Sequence, residues 1–88
     1  DPNNDTCVII FDLLRRHLER ARHTWEQAKE KREYEAKILR LHKEYVRRQD
    51  NLNHLKITDV IFDVMQLPQS RITEPALELG IELAFKAN

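Results

Sequence analysis

Turn-forming residues are nearly missing from this chain: its 88 residues include one glycine and three prolines. That scarcity excludes β-sandwiches and small barrels, which need a turn about every 8–12 residues. A single cysteine, Cys7, excludes an intramolecular disulfide and points to a reducing compartment, the cytoplasm or the nucleus. No long hydrophobic run exists either. The longest purely apolar stretch, Cys7 to Phe11, is far shorter than the ~20 residues of a membrane span and lacks a signal-peptide pattern. Charge of one sign is not in excess, since 15 Lys and Arg balance 15 Asp and Glu. A dedicated nucleic-acid binder usually carries a strongly basic domain, so nucleic acid is disfavoured as a partner.

Signatures of catalysis are missing as well. The chain has no glycine-rich phosphate loop, no His-Glu-x-x-His and no nucleophile elbow. Its only serine, Ser70, has no His or Asp close by in sequence. The expectation is a protein that is not an enzyme and takes no cofactor and no metal. Among His17, His23, His42 and His54, His23 shares a helix face with Glu19 at i, i+4, whereas a structural zinc site needs four ligands.

What the chain does have is charge and helical periodicity. Charged residues make up 34% and hydrophobic ones 41%, a mixture suited to long helices with solvated faces. After a polar lead-in with Asn4 or Asp5 as a helix cap, apolar residues recur as Phe11, Leu14, Leu18, Ala21, Trp25 and Ala28. Their alternating spacing of three and four is that of a coiled-coil seam. Five charged residues, Lys29 to Glu33, follow. A second seam then starts one step out of phase: Tyr34, Ile38, Leu41 and Tyr45, continuing through Arg48 to Leu52 and Leu55. Neither Gly nor Pro interrupts residues 6–50, so the periodicity predicts one long amphipathic helix over about 6–49. Asp12–Arg16, Glu33–Lys37 and Glu44–Arg48 support it at i, i+4. Such a rod would be ~60 Å long and would overhang a globule with a radius of gyration of roughly 12 Å. The first seam, Phe11 to Ala28, is therefore expected to be a partner interface.

Asp50 to His54 is the expected break. Ile57, Val60, Ile61, Val64 and Met65 form the stripe of a helix over about 58–66, with Thr58 as its cap and Leu67-Pro68 as its end. Thr73-Glu74-Pro75 opens another over about 74–87, with Thr73 capping and Pro75 in the first turn. Glu74, Glu78, Glu82 and Lys86 make one narrow polar stripe there, and the remaining surface is apolar. The fold class expected is all-α, a helical hairpin or bundle, with 1–88 as a single domain or fragment. Residues 55–88 are expected to pack on the second half of the rod, with Tyr34, Ile38, Leu41, Tyr45, Ile57, Val60, Ile61, Val64, Leu77, Ile81 and Phe85 making the intramolecular contacts.

Two short resemblances accompany this reading. Ile38 to Arg48 is similar to a calmodulin-binding IQ motif at Ile38, Lys43 and Arg48, and departs from it at Leu39 and Glu44. Within residues 56–88, Asp59 to Met65, Arg71-Ile72 and Leu77 to Leu83 resemble helical-repeat segments of intracellular calcium-release channels of the ryanodine and inositol-trisphosphate receptor type. Lys86-Ala87-Asn88 stands where those segments carry Gly-Gly-Asn. The second resemblance implies helical-repeat packing and assigns no functional residue.

Three function classes follow. The first is a non-catalytic protein–protein interaction or oligomerisation module, with self or another helical protein as partner. It reads the chain as a homo-oligomer or a part of a larger chain, and the start at Asp1 without Met reads as a piece cut from something longer. The second is a nucleic-acid-associated regulatory domain using residues 12–49, whose net charge is +5 by count of side chains. The third is a fragment of a larger helical-repeat scaffold, such as a channel or adaptor solenoid.

Overall fold

The structure, a computed structural model, describes residues 2–67 and 71–86. Four helices follow one another: α1 (Pro2–Glu30), α2 (Glu35–His54), α3 (Ile57–Met65) and α4 (Thr73–Ala84), with no strand among the described residues. The fold is thus all-α, a long N-terminal helix followed by shorter ones in a bundle.

The expected rod over 6–49 does not run straight. It breaks at Lys31–Tyr34, and α2 returns antiparallel along α1, so that Arg48 donates to the carbonyl of His17 at 2.8 Å and Trp25 meets His42 at 5.0 Å. The turn closes α1 by a Schellman arrangement. Glu33 N–H donates to Ala28 O at 3.0 Å and Arg32 N–H to Lys29 O at 3.1 Å. Arg32 takes the left-handed conformation that this cap requires, at φ 53°. A non-glycine residue there costs roughly 1–2 kcal/mol. Burying one seam against the other removes several large side chains from water at about 1.5–3 kcal/mol each. That gain exceeds the strain, and the fold-back wins over continuity.

The one-step phase change between the seams is the sequence mark of this turn. Phe11, Leu18, Ala21, Trp25 and Ala28 are buried with Tyr45 and Leu52 of α2, and with Ile72, Ala76, Leu79 and Leu83 in and beside α4. Leu18, Tyr45 and Leu79 are fully enclosed. α4 runs alongside α1 in the same direction, with Arg71 near Asp5, Glu78 near Arg15 and Glu82 on Arg22. The molecule measures 48 × 20 × 16 Å with a radius of gyration of 14.8 Å, longer and thinner than expected of a globule this size.

All three expected i, i+4 ion pairs form, at 3.0, 3.1 and 3.0 Å. The caps differ. α2 runs on through Asp50 to His54, and the break falls at Leu55–Lys56, where Lys56 is left-handed at φ 61°. Thr58 lies inside α3, and its hydroxyl donates to Asn53 Oδ1 at 3.1 Å. Thr73 is the first residue of α4, whose N-cap is Ile72 with no side-chain cap bond. α4 ends at Ala84, so of the expected extent to 87, Phe85 and Lys86 lie beyond the helix and Ala87 lies outside the described residues, as does Pro68.

Candidate protein-binding groove

Two features distinguish the surface and interior near α4: a buried polar cluster that fixes the helix, and an open apolar groove beside it.

The cluster centres on Glu82, which α4 turns inward between Leu79 and Leu83. Its carboxylate accepts from Arg22 Nε at 2.9 and 3.2 Å, from Arg22 Nη2 at 3.0 Å, and from the Tyr45 hydroxyl. Gln49 Nε2 donates to Tyr45 Oη at 3.1 Å, to the Glu82 carbonyl at 3.1 Å and to the Phe85 carbonyl at 2.9 Å. The last two contacts tie Gln49 to the end of α4, where the Glu82 carbonyl also accepts from Phe85 N–H at 3.3 Å. Burial, then the Glu82 carboxylate, pushes the Tyr45 hydroxyl well above the ordinary tyrosine range. The hydrogen bond from Glu82 raises the Arg22 guanidinium in turn. Phe85 completes the cluster, edge-on to Tyr45 at 6.1 Å and under the Arg22 guanidinium at 5.1 Å. Every polar group here is met from within the chain, so the cluster anchors α4 rather than presenting a reactive group.

The groove lies between α3 and α4. Two stripes at helical spacing line it: Thr58, Ile61, Phe62 and Met65 on α3, and Leu77, Gly80 and Ala84 on α4, with Leu83 and Asn53 completing the wall. It encloses about 370 Å³. Phe62 is 63% exposed and Leu77 47%. The one glycine sits on the floor: a Cβ at Gly80 would meet Ile61 Cγ2 at 3.7 Å, an ordinary contact. A backbone with small residues at Gly80 and Ala84 lets an incoming surface approach closely. A separate exposed apolar group, Ile9, Ile10 and Leu13, lies on the first turns of α1.

The expected partner interface, Phe11, Leu14, Leu18, Ala21, Trp25 and Ala28, is occupied by the chain itself. All are buried except Leu14, which is partly buried against the same core. The reason is the turn at Lys31–Tyr34, which supplies α2 as the companion that a straight rod would have lacked. Of the expected intramolecular contacts, Tyr45, Ile61 and Val64 are buried, and Ile38, Leu41 and Ile57 pack against them. Tyr34 is 87% exposed because it stands at the turn, before α2 begins. Val60, Leu77 and Ile81 are exposed because α3 packs on α2 and α4, and α4 on α1, α2 and α3, and these three side chains lie off those contact faces. Phe85 is partly exposed but holds its ring contacts in the cluster. Glu82, placed by the sequence on a polar stripe, is the residue that pattern reasoning misplaced. Its signal was a carboxylate flanked along the helix by Leu79 and Leu83, with Arg22 facing it from a seam-bearing helix.

Among the described residues no group of three His, Cys, Asp or Glu side chains is arranged to hold a metal, and no helix is long and apolar enough to cross a membrane. Comparison of this chain with known protein families, with curated proteins and with solved structures finds no match.

Proposed function

We propose that this chain is a non-catalytic protein–protein interaction module whose binding surface is the α3–α4 groove, occupied by a helix of a partner protein. One observation carries the reading: two apolar stripes, set at helical spacing on α3 and α4, stay open to water while the seam from Phe11 to Ala28 is covered within the bundle. Grooves of this form take the apolar face of an amphipathic helix, read by anchors at i, i+3, i+4 and i+7. The basic 12–49 segment gives less support to a nucleic-acid role. Arg15, Arg16, Arg22, Lys37, Arg47 and Arg48 are engaged by carboxylates of the same chain, which removes half of the segment's basic side chains from direct use on phosphates. A place in a larger helical-repeat scaffold is the second reading, favoured by the exposed outer faces of the α3–α4 pair.

The test is amide-shift mapping of the chain titrated with an 18-residue helical peptide bearing Leu at i, i+3, i+4 and i+7 and Gln elsewhere. Shifts should gather at Phe62, Leu77 and Gly80, and Phe62→Asp should weaken binding at least about tenfold. Phe62 is exposed, so the variant keeps its fold, as its circular dichroism will show. Absence of saturable shifts, or shifts indifferent to Phe62→Asp, rejects the reading. Sedimentation equilibrium of the chain alone shows whether the partner helix comes from a second copy.

A further inference from the structure

We infer that the helix received by this groove carries Lys or Arg along its flanks, an inference that rests on the groove reading above. α3 and α4 contain five carboxylates and no basic side chain: Asp59 and Asp63 on α3, and Glu74, Glu78 and Glu82 on α4. Glu82 is spent inside the fold on Arg22 and Tyr45, and Glu78 lies 3.6 Å from Arg15. Asp59, Asp63 and Glu74 are exposed, and among the described residues no cation pairs with them.

Their positions follow from helical geometry. On α3 the groove stripe runs through Phe62, and Asp59 and Asp63 stand one residue outward of Thr58 and Phe62, on the side away from the core. On α4 Glu74 precedes Leu77 by three residues and shares its outer edge, whereas Glu78, one residue on, turns toward Arg15 of α1. The floor is thus apolar and both outer rims are acidic. The bases nearest in sequence, Lys56, Arg71 and Lys86, lie outside the two helices, and Arg71, three residues from Glu74, pairs with Asp5 of α1 at 3.3 Å.

Such a site repels an anionic membrane or a nucleic acid and discriminates among amphipathic helices by their flanks. Rim charges of this kind set specificity and association rate more than affinity, and they fade with salt. The partner class is therefore a basic amphipathic helix, apolar along one stripe with cationic residues on each side of it.

Three peptides sharing one Leu stripe, with flanks of Lys, Gln or Glu, separate this inference from the groove reading. Anisotropy titrations at low ionic strength should rank them Lys, Gln, Glu, with at least a tenfold spread that contracts in high salt. Replacing Asp59→Asn, Asp63→Asn and Glu74→Gln together should bring the Lys peptide down to the Gln peptide's affinity without altering the latter. Phe62→Asp should weaken all three. Equal binding of the Lys and Glu peptides, or a Lys preference that survives the triple replacement, overturns the charge inference and leaves the groove standing. Failure of all three peptides to bind overturns both. Self-association of the chain that Phe62→Asp abolishes and the Lys peptide does not displace also overturns the inference, because the occupant is then a second copy.

Discussion

Arg22→Met should be one of the most damaging single changes outside the apolar core. The side chains of Arg22 and Glu82 are 20% and 7% exposed, and three short contacts join them. Removing the guanidinium leaves the carboxylate enclosed, with the Tyr45 hydroxyl as its main partner. Breaking a buried pair from one side costs about 3–5 kcal/mol, and the partial exposure of Arg22 places this case near the lower end, at ~3 kcal/mol. Glu82→Leu should cost less, ~1–2 kcal/mol. Arg22 then keeps Glu26 at 3.0 Å and reaches water, while Tyr45 keeps the Glu82 carbonyl at 3.3 Å and Gln49 at 3.1 Å. Because the two losses share one interaction, the double variant should lose less than the two combined, with a coupling of about 1–3 kcal/mol. Urea denaturation followed by far-ultraviolet circular dichroism measures each corner of the cycle, with an unchanged m-value as the check on two-state unfolding. In a domain of this size ~3 kcal/mol corresponds to a fall in Tm of roughly 12–24 °C. A loss under about 1 kcal/mol for Arg22→Met, or strictly additive losses, would refute the reasoning.

Other expectations concern the backbone and pH. Arg32→Gly relieves the left-handed turn residue and should raise stability by ~0.5–1 kcal/mol in thermal melts; a decrease would mean that the Arg32 side chain, and not the turn, holds the fold-back. Gly80→Ala should also stabilise, by up to about 1 kcal/mol of helix propensity, since its methyl meets Ile61 at an ordinary distance; destabilisation would show that the groove floor cannot give. His17 is pushed below the ordinary histidine pKa, first by burial and then by Arg48 and Arg47. The unfolded chain therefore binds the proton more readily. The stability present above about pH 6.5 is lost as pH falls through the folded-state value. Tm should drop modestly between about pH 7.5 and pH 5, and His17→Asn should flatten part of that drop; an unaltered slope would exclude His17 as its source.

Local chemistry made the last two helices legible. Leu67-Pro68 and Thr73-Glu74-Pro75 bracket them, and both lie within a few residues of their expected places. The two seams were legible as apolar surfaces but not as each other's partners. Their phase slip is consistent with a rod aiming at two targets or with a rod folded at the slip. Choosing between these requires comparing the strain at one backbone position with the burial of two faces, and no residue near Arg32 advertises a turn: Schellman caps usually use glycine, and here arginine occupies the position. Glu82 was hidden for a related reason. Spacing places a side chain on a helix face, while its burial depends on what packs there, and Arg22 reaches that face across sixty positions of chain. The open groove follows from the same incompleteness: α3 and α4 carry more apolar surface than the helices packed against them cover.

α4 ends beside Arg22 and Tyr45, so the far end of the α1–α2 pair, from about Ala28 round to Ile38, has only its own two strands of helix for company. Little large apolar surface is interred there, and the Trp25 ring, topped by Lys29 at 4.0 Å, forms the last substantial plug before the bend. Amide protons at this tip should therefore trade with solvent through brief unzipping, while those around Leu18, Tyr45 and Leu79 wait for the entire molecule to come apart.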